Sequence, residues 1–358
     1  MFVKQIIYFS PNRVEFVSRE LGWIYGGSNL LEKWGELDLE RVRLVLLVGN
    51  SRRELDILRE LPNSSIWIYL YADEIYDPVL NFTLLRSGSV RGVIRAYPIL
   101  EMELRKFVWN QTKILLRLFY ENSLMQKKVL IGELPRGMMF TFRKLFVTFL
   151  QKKSKKISIS LFPGYTNMFA SAFCRKFGLH SEHSNASLVE LQVFQIPNVK
   201  FKELVVGFQG QVGKSWRSYA LEKAKLYFSI TEAIIELRAG FGGTIGQNGA
   251  SMQSATTYLE LMLKSQFTLC PPGNYSYGSF RILEALLSDS VPLICPIYSW
   301  DFTFVPPWLR QVRTEGFENW EDCFKFARES DSKRCSEIVK SQLQLVRSYI
   351  NSVNNGLV

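Results

Sequence analysis

Read for its apolar runs, this sequence is that of an α/β protein: two Rossmann-like parallel-sheet domains facing a cleft, closed by a C-terminal helix. Three observations lead there. Short runs of β-branched and large apolar residues alternate with segments of helical period, as in sheets covered on both faces by crossover helices. The alternation occurs twice, before about residue 140 and again after about residue 200. A chain of 358 residues, 47% apolar and 22% charged, can bury two such cores.

The first domain, 1–140, opens with the strand "KQIIYFS" and a helix near Arg13 to Leu21. "RLVLLVGN" reads as a buried strand and "SRRELDILREL" as an amphipathic helix capped by Ser51. "SIWIYLYADEIYD" is a strand ending in acids, "VRGVIRAYPI" another, and "EMELRKFVWNQTKILLRLFYENS" a long helix. "KKVLIGELPRG" closes the series as a strand, punctuated by Pro135 and Gly137. The segment 141–200 is irregular and basic and reads as a linker or insertion. The second domain, 201–340, runs through strand "KELVVGFQG", a helix at 215–228, strand "AIIELRAGFGG" and a Gly/Asn/Ser-rich loop. Helix "SATTYLELMLKS", strand "FTLCPPG", helix "SFRILEALLSDS" and strand "VPLICP" follow. The last helix, 341–358, is expected to cross back to the first domain. No internal repeat is present.

Composition removes several classes. No run of 18 apolar residues offers a spanning helix. "MFVKQIIYFSPNRVEF" becomes polar too soon for a secretory signal. Cys174, Cys270, Cys295, Cys323 and Cys335 form no CxxC pair, so they read as reduced packing thiols in a cytoplasmic setting. Two histidines, in "HSEHS" (His180, His183), make a His-based metal site improbable. Net charge is +11, and between Arg136 and Lys176 nine Lys or Arg residues stand with no acid. Within that stretch a helical period puts Phe142, Leu145, Phe146, Phe149 and Leu150 on one face, with Arg143, Lys144, Lys152 and Lys153 off it. Two readings stay open: a core-facing helix with a solvated basic back, or a helix resting on an anionic membrane surface at the inner face. Nucleic acid fits less well, because the aromatics follow a helical stripe instead of a stacking platform.

"VVGFQGQVGKSWRSYALEKAK", 205–225, imitates a phosphate loop. The Walker spacing fails by one residue: five residues separate Gly207 from Gly213-Lys214-Ser215, and Phe208 holds the place of the first glycine. What remains is a strand, a glycine turn around Gly210 and a helix whose N-terminus favours anions, with Lys214 and Arg217 beside it.

"KSQFTLCPPGNYSYGSFRILEALLSDSVPLI", 264–294, is more telling. A buried strand ends in Pro271-Pro272-Gly273, a small polar loop follows, and Ser279 can cap the next helix. Arg281 and Glu284, three apart, share a helical face. Ser279 and the helix terminus can donate to a phosphate, the Arg281 fork suits a diphosphate, and Glu284 can accept from two ribose hydroxyls. The alternative is that Arg281 and Glu284 pair with each other.

The block resembles the signature of exostosin-like glycosyltransferases, with Ser265, Phe267, Leu269, Pro271, Gly273, Ser279, Arg281, Glu284, Pro292 and Ile294 in register. Phe208, Gly210 and Arg217 match that family's aromatic–glycine strand end with a following arginine. "RGVIRAYPI" and "LPRGM" resemble N-terminal elements of some members more loosely. Ser288-Asp289-Ser290 departs from the pattern, where a small residue and glycine or cysteine are usual.

The resemblance implies a two-domain GT-B enzyme that transfers a sugar with inversion. The nucleotide-sugar donor, a UDP-sugar first among candidates, would sit on the second domain, and a glycan or lipid-linked glycan acceptor on the first. No metal or other cofactor is required, because arginines and helix dipoles supply positive charge to the leaving diphosphate. Donor-binding positions are then Gly210, Lys214, Arg217, Pro271, Gly273, Ser279, Arg281 and Glu284. A general base must come from elsewhere: Asp73 and Glu74 at one strand end, or Glu133 at another, each of which also reads as a capping or surface acid. A non-catalytic protein of the same fold that binds nucleotide or glycan is the competing reading.

Overall fold

The computed structural model describes residues 6–10, 13–17, 23–26, 44–47, 66–70, 76–95, 124–160, 167–178, 202–210, 215–237, 252–271, 280–295 and 319–357, with helical residues at 109, 112 and 116. It divides into two units, Met1–Pro163 with Leu357–Val358, and Gly164–Gly356. The division falls inside the segment 141–200, of which 141–154 and 167–177 are helical and 157–160 is strand.

The first unit holds a seven-stranded sheet made of β1 (Ile6–Ser10), β2 (Arg13–Val17), β3 (Trp23–Gly26), β4 (Leu44–Leu47), β5 (Ile66–Leu70), β6 (Val90–Arg95) and β7 (Ile157–Ser160). Their order is β3-β2-β1-β4-β5-β6-β7. From β1 through β4, β5, β6 and β7 neighbours are parallel. The other edge is antiparallel, β1 with β2 and β2 with β3. The sheet is mixed, and the helix expected near Arg13 is β2. "RVEFV" alternates with period two, and the Ser10↔Arg13 register leaves two residues between the strands, the length of a tight hairpin.

Helix α1 (Pro78–Arg86) follows β5, and α2 (Leu124–Ser154) packs against it. The Asp77 side chain accepts from the Leu80 N–H at 2.8 Å and Pro78 opens the helix, a start signal the sequence carries in plain form. Helix α2 replaces the strand expected at "KKVLIGELPRG". A short apolar run does not distinguish a buried strand from a helix by period, and Pro135 lies inside the helix. The strand that pairs with β6 is instead β7. Buried Arg95, at the end of β6, donates to Gln151 Oε1 at 3.2 Å, and Gln151 Nε2 donates to the Lys156 carbonyl at 2.7 Å, which ties the end of α2 to the sheet.

The second unit follows expectation closely. Its strands are β8 (Leu204–Gly210), β9 (Ala233–Leu237), β10 (Ser265–Leu269) and β11 (Val291–Leu293). They form one parallel sheet ordered β11-β10-β8-β9. Central β8 and β10 are buried nearly throughout, and β9 at the edge is half exposed. The helices are α3 (Asn167–Phe177), α4 (Ser215–Tyr227), α5 (Met252–Lys264), α6 (Phe280–Leu287), α7 (Trp320–Glu329) and α8 (Ser332–Leu357). Helix α3, drawn from the supposed linker, packs on α5, and α7 packs on α4 and β8. Gly207 makes the close approach of α5 possible: a Cβ there would collide with Ser265 Oγ and stand 3.2 Å from Leu261 Cγ. Among the described residues, no helix is long and apolar enough to cross a membrane.

Candidate functional site

Strand order locates the site before any side chain is considered. From β8 the chain goes to β9 on one side, then returns past β8 to β10 on the other. The topological switch therefore lies between β8 and β10, and open α/β sheets take ligands at the carboxyl ends of the strands flanking such a point.

The residues found there are those of the two sequence motifs. At the end of β8 stand Phe208, Gln209 and Gly210, and after β10 come Cys270 and Pro271, all buried. Arg281 and Glu284 lie in the first turns of α6, 8% and 2% exposed. They do not simply hold each other. Arg281 Nη2 donates to the Gln209 carbonyl at 3.0 Å, and its guanidinium lies 4.6 Å from the Phe208 ring centroid and 5.8 Å from that of Tyr258. Such stacking suits the planar, weakly hydrated guanidinium. Glu284 Oε2 accepts from the Tyr258 hydroxyl at 2.7 Å.

Gly210 leaves room for this arrangement, since a Cβ there would lie 2.7 Å from Arg281 Nη2. Gln209 turns its amide to Glu236 on β9, Nε2 donating to Oε2 at 3.0 Å, while its Oε1 is buried with no hydrogen-bond partner among the described residues. Burial, together with the neighbouring Glu284 charge, holds the Tyr258 hydroxyl well above its ordinary range, with Arg281 opposing. Burial likewise pushes the Cys270 thiol up to about 12, against the pull of Arg281. Both therefore stay protonated near neutral pH, Tyr258 as a donor and Cys270 as a packing group rather than a nucleophile.

The other expected positions fall as follows. Arg217 is half-buried in the first turn of α4. Lys214, Gly273, Ser279, Asp73 and Glu74 lie outside the described residues. Glu133 lies within α2, not at a strand end, so the reason for expecting it to face a cleft is removed. Ser288, Asp289 and Ser290, where the sequence departs from the exostosin-like pattern, have a structural account. Asp289 takes φ 54°, the left-handed conformation that usually calls for glycine. Its carboxylate lies 3.9 Å from Lys202 Nζ, which donates to the carbonyls of Leu263 and Ser288 at the ends of α5 and α6.

Tyr258, Gln209 and Cys270 belong to the cluster without having been expected as site residues. The resemblance left them unmarked; the strand-end positions of Gln209 and Cys270, beside residues already singled out, were the available signal. Among the described residues, no three His, Cys, Asp or Glu side chains gather into a metal-holding group. Comparison with known proteins adds no family: no family model matches the chain, and no curated protein matches it.

Proposed function

We propose that this chain is an inverting glycosyltransferase of GT-B architecture that takes its sugar from a nucleotide-sugar donor, with a UDP-sugar first among candidates. The observation that carries the reading is the coincidence of two independent features. The residues in register with the exostosin-like signature, Arg281 and Glu284, occupy the switch between β8 and β10, where sheet topology alone would put a ligand.

In this reading the donor lies on the second unit. Arg281 and Arg217, with Lys214, Ser279 and the α6 N-terminus, take the diphosphate, and their charge stabilises it as it leaves. The bond to Gln209 fixes the Arg281 guanidinium at the end of β8. Glu284 takes the ribose, oriented by Tyr258. The acceptor, a glycan or lipid-linked glycan, lies on the first unit, and Asp73 or Glu74, three and four residues beyond the end of β5, removes the proton from its hydroxyl.

The depth of Arg281 and Glu284 favours a second reading. A packed network of Arg281, Phe208, Tyr258 and Glu284 would serve equally well in a protein of this fold that binds nucleotide without turning it over.

Incubation with UDP-, GDP-, CMP- and TDP-sugars, with nucleotide release followed in the presence of glycan acceptors, separates the two. The transferase releases nucleotide from one donor class. Asp73→Asn or Glu74→Gln, whichever removes the base, lowers turnover by about 10²–10⁴-fold. Nucleotide binding without release from any donor supports the second reading.

A further inference from the structure

Helix α2 turns its most apolar side to solvent. Phe142 is 78% exposed, Met138 65% and Phe149 61%, with Met139 and Phe146 exposed beside them. At about 100° per residue these five side chains fall within an arc of roughly 100°. The contacts that hold α2 to its own unit use the opposite arc, where Gly137, Phe140, Lys144, Val147, Thr148 and Gln151 are buried. An amphipathic helix normally buries its apolar stripe. This one buries a mixed face, in which Lys144 lies over the Tyr76 ring at 5.4 Å, and leaves the stripe outside.

The stripe has charged margins. On the same helical count, Arg136 and Arg143 run along one edge and Lys152 along the other, while Lys153 and Lys155 stand at the C-terminal end. Arg136, Lys152, Lys153 and Lys155 are exposed and Arg143 is half-exposed. No acid occurs anywhere from 136 to 176.

We propose that α2 seats this protein on an anionic lipid surface. Phe142, Phe146, Phe149, Met138 and Met139 enter the boundary between headgroups and acyl chains, and the basic margin lies on the headgroups. A bilayer interface of this kind is apolar in depth and negative at its rim, which is the pattern of α2 in section. Nucleic acid would satisfy the cations and leave five large apolar side chains in water. A protein groove would cover the stripe but would not account for an acid-free margin on both sides. The proposal goes beyond the transferase reading and does not depend on what the second unit binds.

Co-sedimentation of the full chain tests it, with vesicles of phosphatidylcholine containing phosphatidylglycerol against vesicles of phosphatidylcholine alone. Binding is expected to the anionic vesicles only and to weaken with added salt. Both the Phe142→Ser/Phe149→Ser and the Lys152→Glu/Lys153→Glu variants should lower it on the order of tenfold or more. Leu226→Ser and Ile230→Ser, which remove exposed apolar side chains of the second unit, should leave it unchanged. Thermal melts equal to wild type show that the exposed-site variants fold. Equal binding to both vesicle types, or no binding, overturns the proposal. So does loss with the lysine variant alone, the mark of simple polyanion adsorption. A dimer in sedimentation velocity that Phe142→Ser/Phe149→Ser dissociates also overturns it, because the stripe is then a seam between copies.

Discussion

At the scale of single residues, the two glycines of β8 carry different constraints. Gly207→Ala drives a methyl into Ser265, whose Oγ is already committed to the Leu261 carbonyl at 2.7 Å, and into Leu261 itself. We expect it to cost about 1–3 kcal/mol in urea denaturation, as overpacking of a tight interior does. Gly210→Ala would bring its methyl to 2.7 Å from Arg281 Nη2 and 3.2 Å from Phe208 Cζ, contacts with side chains alone, so stability should fall less while the displaced Arg281 lowers nucleotide affinity on the order of tenfold. Tyr258→Phe leaves a buried Glu284 oxygen without its donor and should cost about 1–3 kcal/mol. Lys202 sets a pH dependence. Burial holds its amine down at about 8, against an ordinary 10.5. Between those values the unfolded chain binds more protons than the folded one, so this group makes stability rise with pH across that window. The wild-type-minus-Lys202→Met difference in unfolding free energy should therefore grow from pH 8 to pH 10.5, and a flat difference would contradict the burial argument.

At the scale of elements, the second unit was readable because period, turn residues and buried runs agreed. "FTLC" and "VPLI" are largely apolar and buried, as parallel strands covered on both faces are, and Pro271 follows the first while Ser290 precedes the second. In the first unit the signals competed. "RVEFV" has a strand's alternation within a stretch also open to a helical reading, and it pairs with β1 across a two-residue connection. The Asp77-Pro78 start of α1 was present but overshadowed by the acids before it. Helix α2 is the most instructive case. Its apolar stripe was legible and its orientation was not, because tertiary packing chose the face bearing Phe140, Lys144 and Val147. Alanine substitutions on the two faces test that choice. Phe140→Ala should cost about 3–5 kcal/mol, and Phe149→Ala should stay within about 0.5 kcal/mol. The reverse ranking would mean that the exposed stripe is the core seam.

At the scale of the whole molecule, the chain is two α/β units whose sheets differ in make-up. The first is a mixed sheet with an antiparallel edge, and the second is fully parallel with one switch point. About half of the candidate site could be read from sequence. Gly210, Arg281 and Glu284 lie in motifs with fixed spacing. Gln209 meets Arg281 across 72 residues of chain and Tyr258 meets Glu284 across 26, pairings that the sheet order creates and spacing cannot show. The central claim is that a nucleotide sits at this switch with Arg281 on its diphosphate. Thermal unfolding of the wild type and of Arg281→Ala, each alone and with saturating UDP, GDP, CMP or TDP, tests it most directly. One nucleotide should raise the wild-type Tm, by the stabilisation that binding to the folded state confers, and Arg281→Ala should lose that rise while still unfolding cooperatively. A wild type that no nucleotide stabilises, or an Arg281→Ala variant that keeps the full shift, would contradict it.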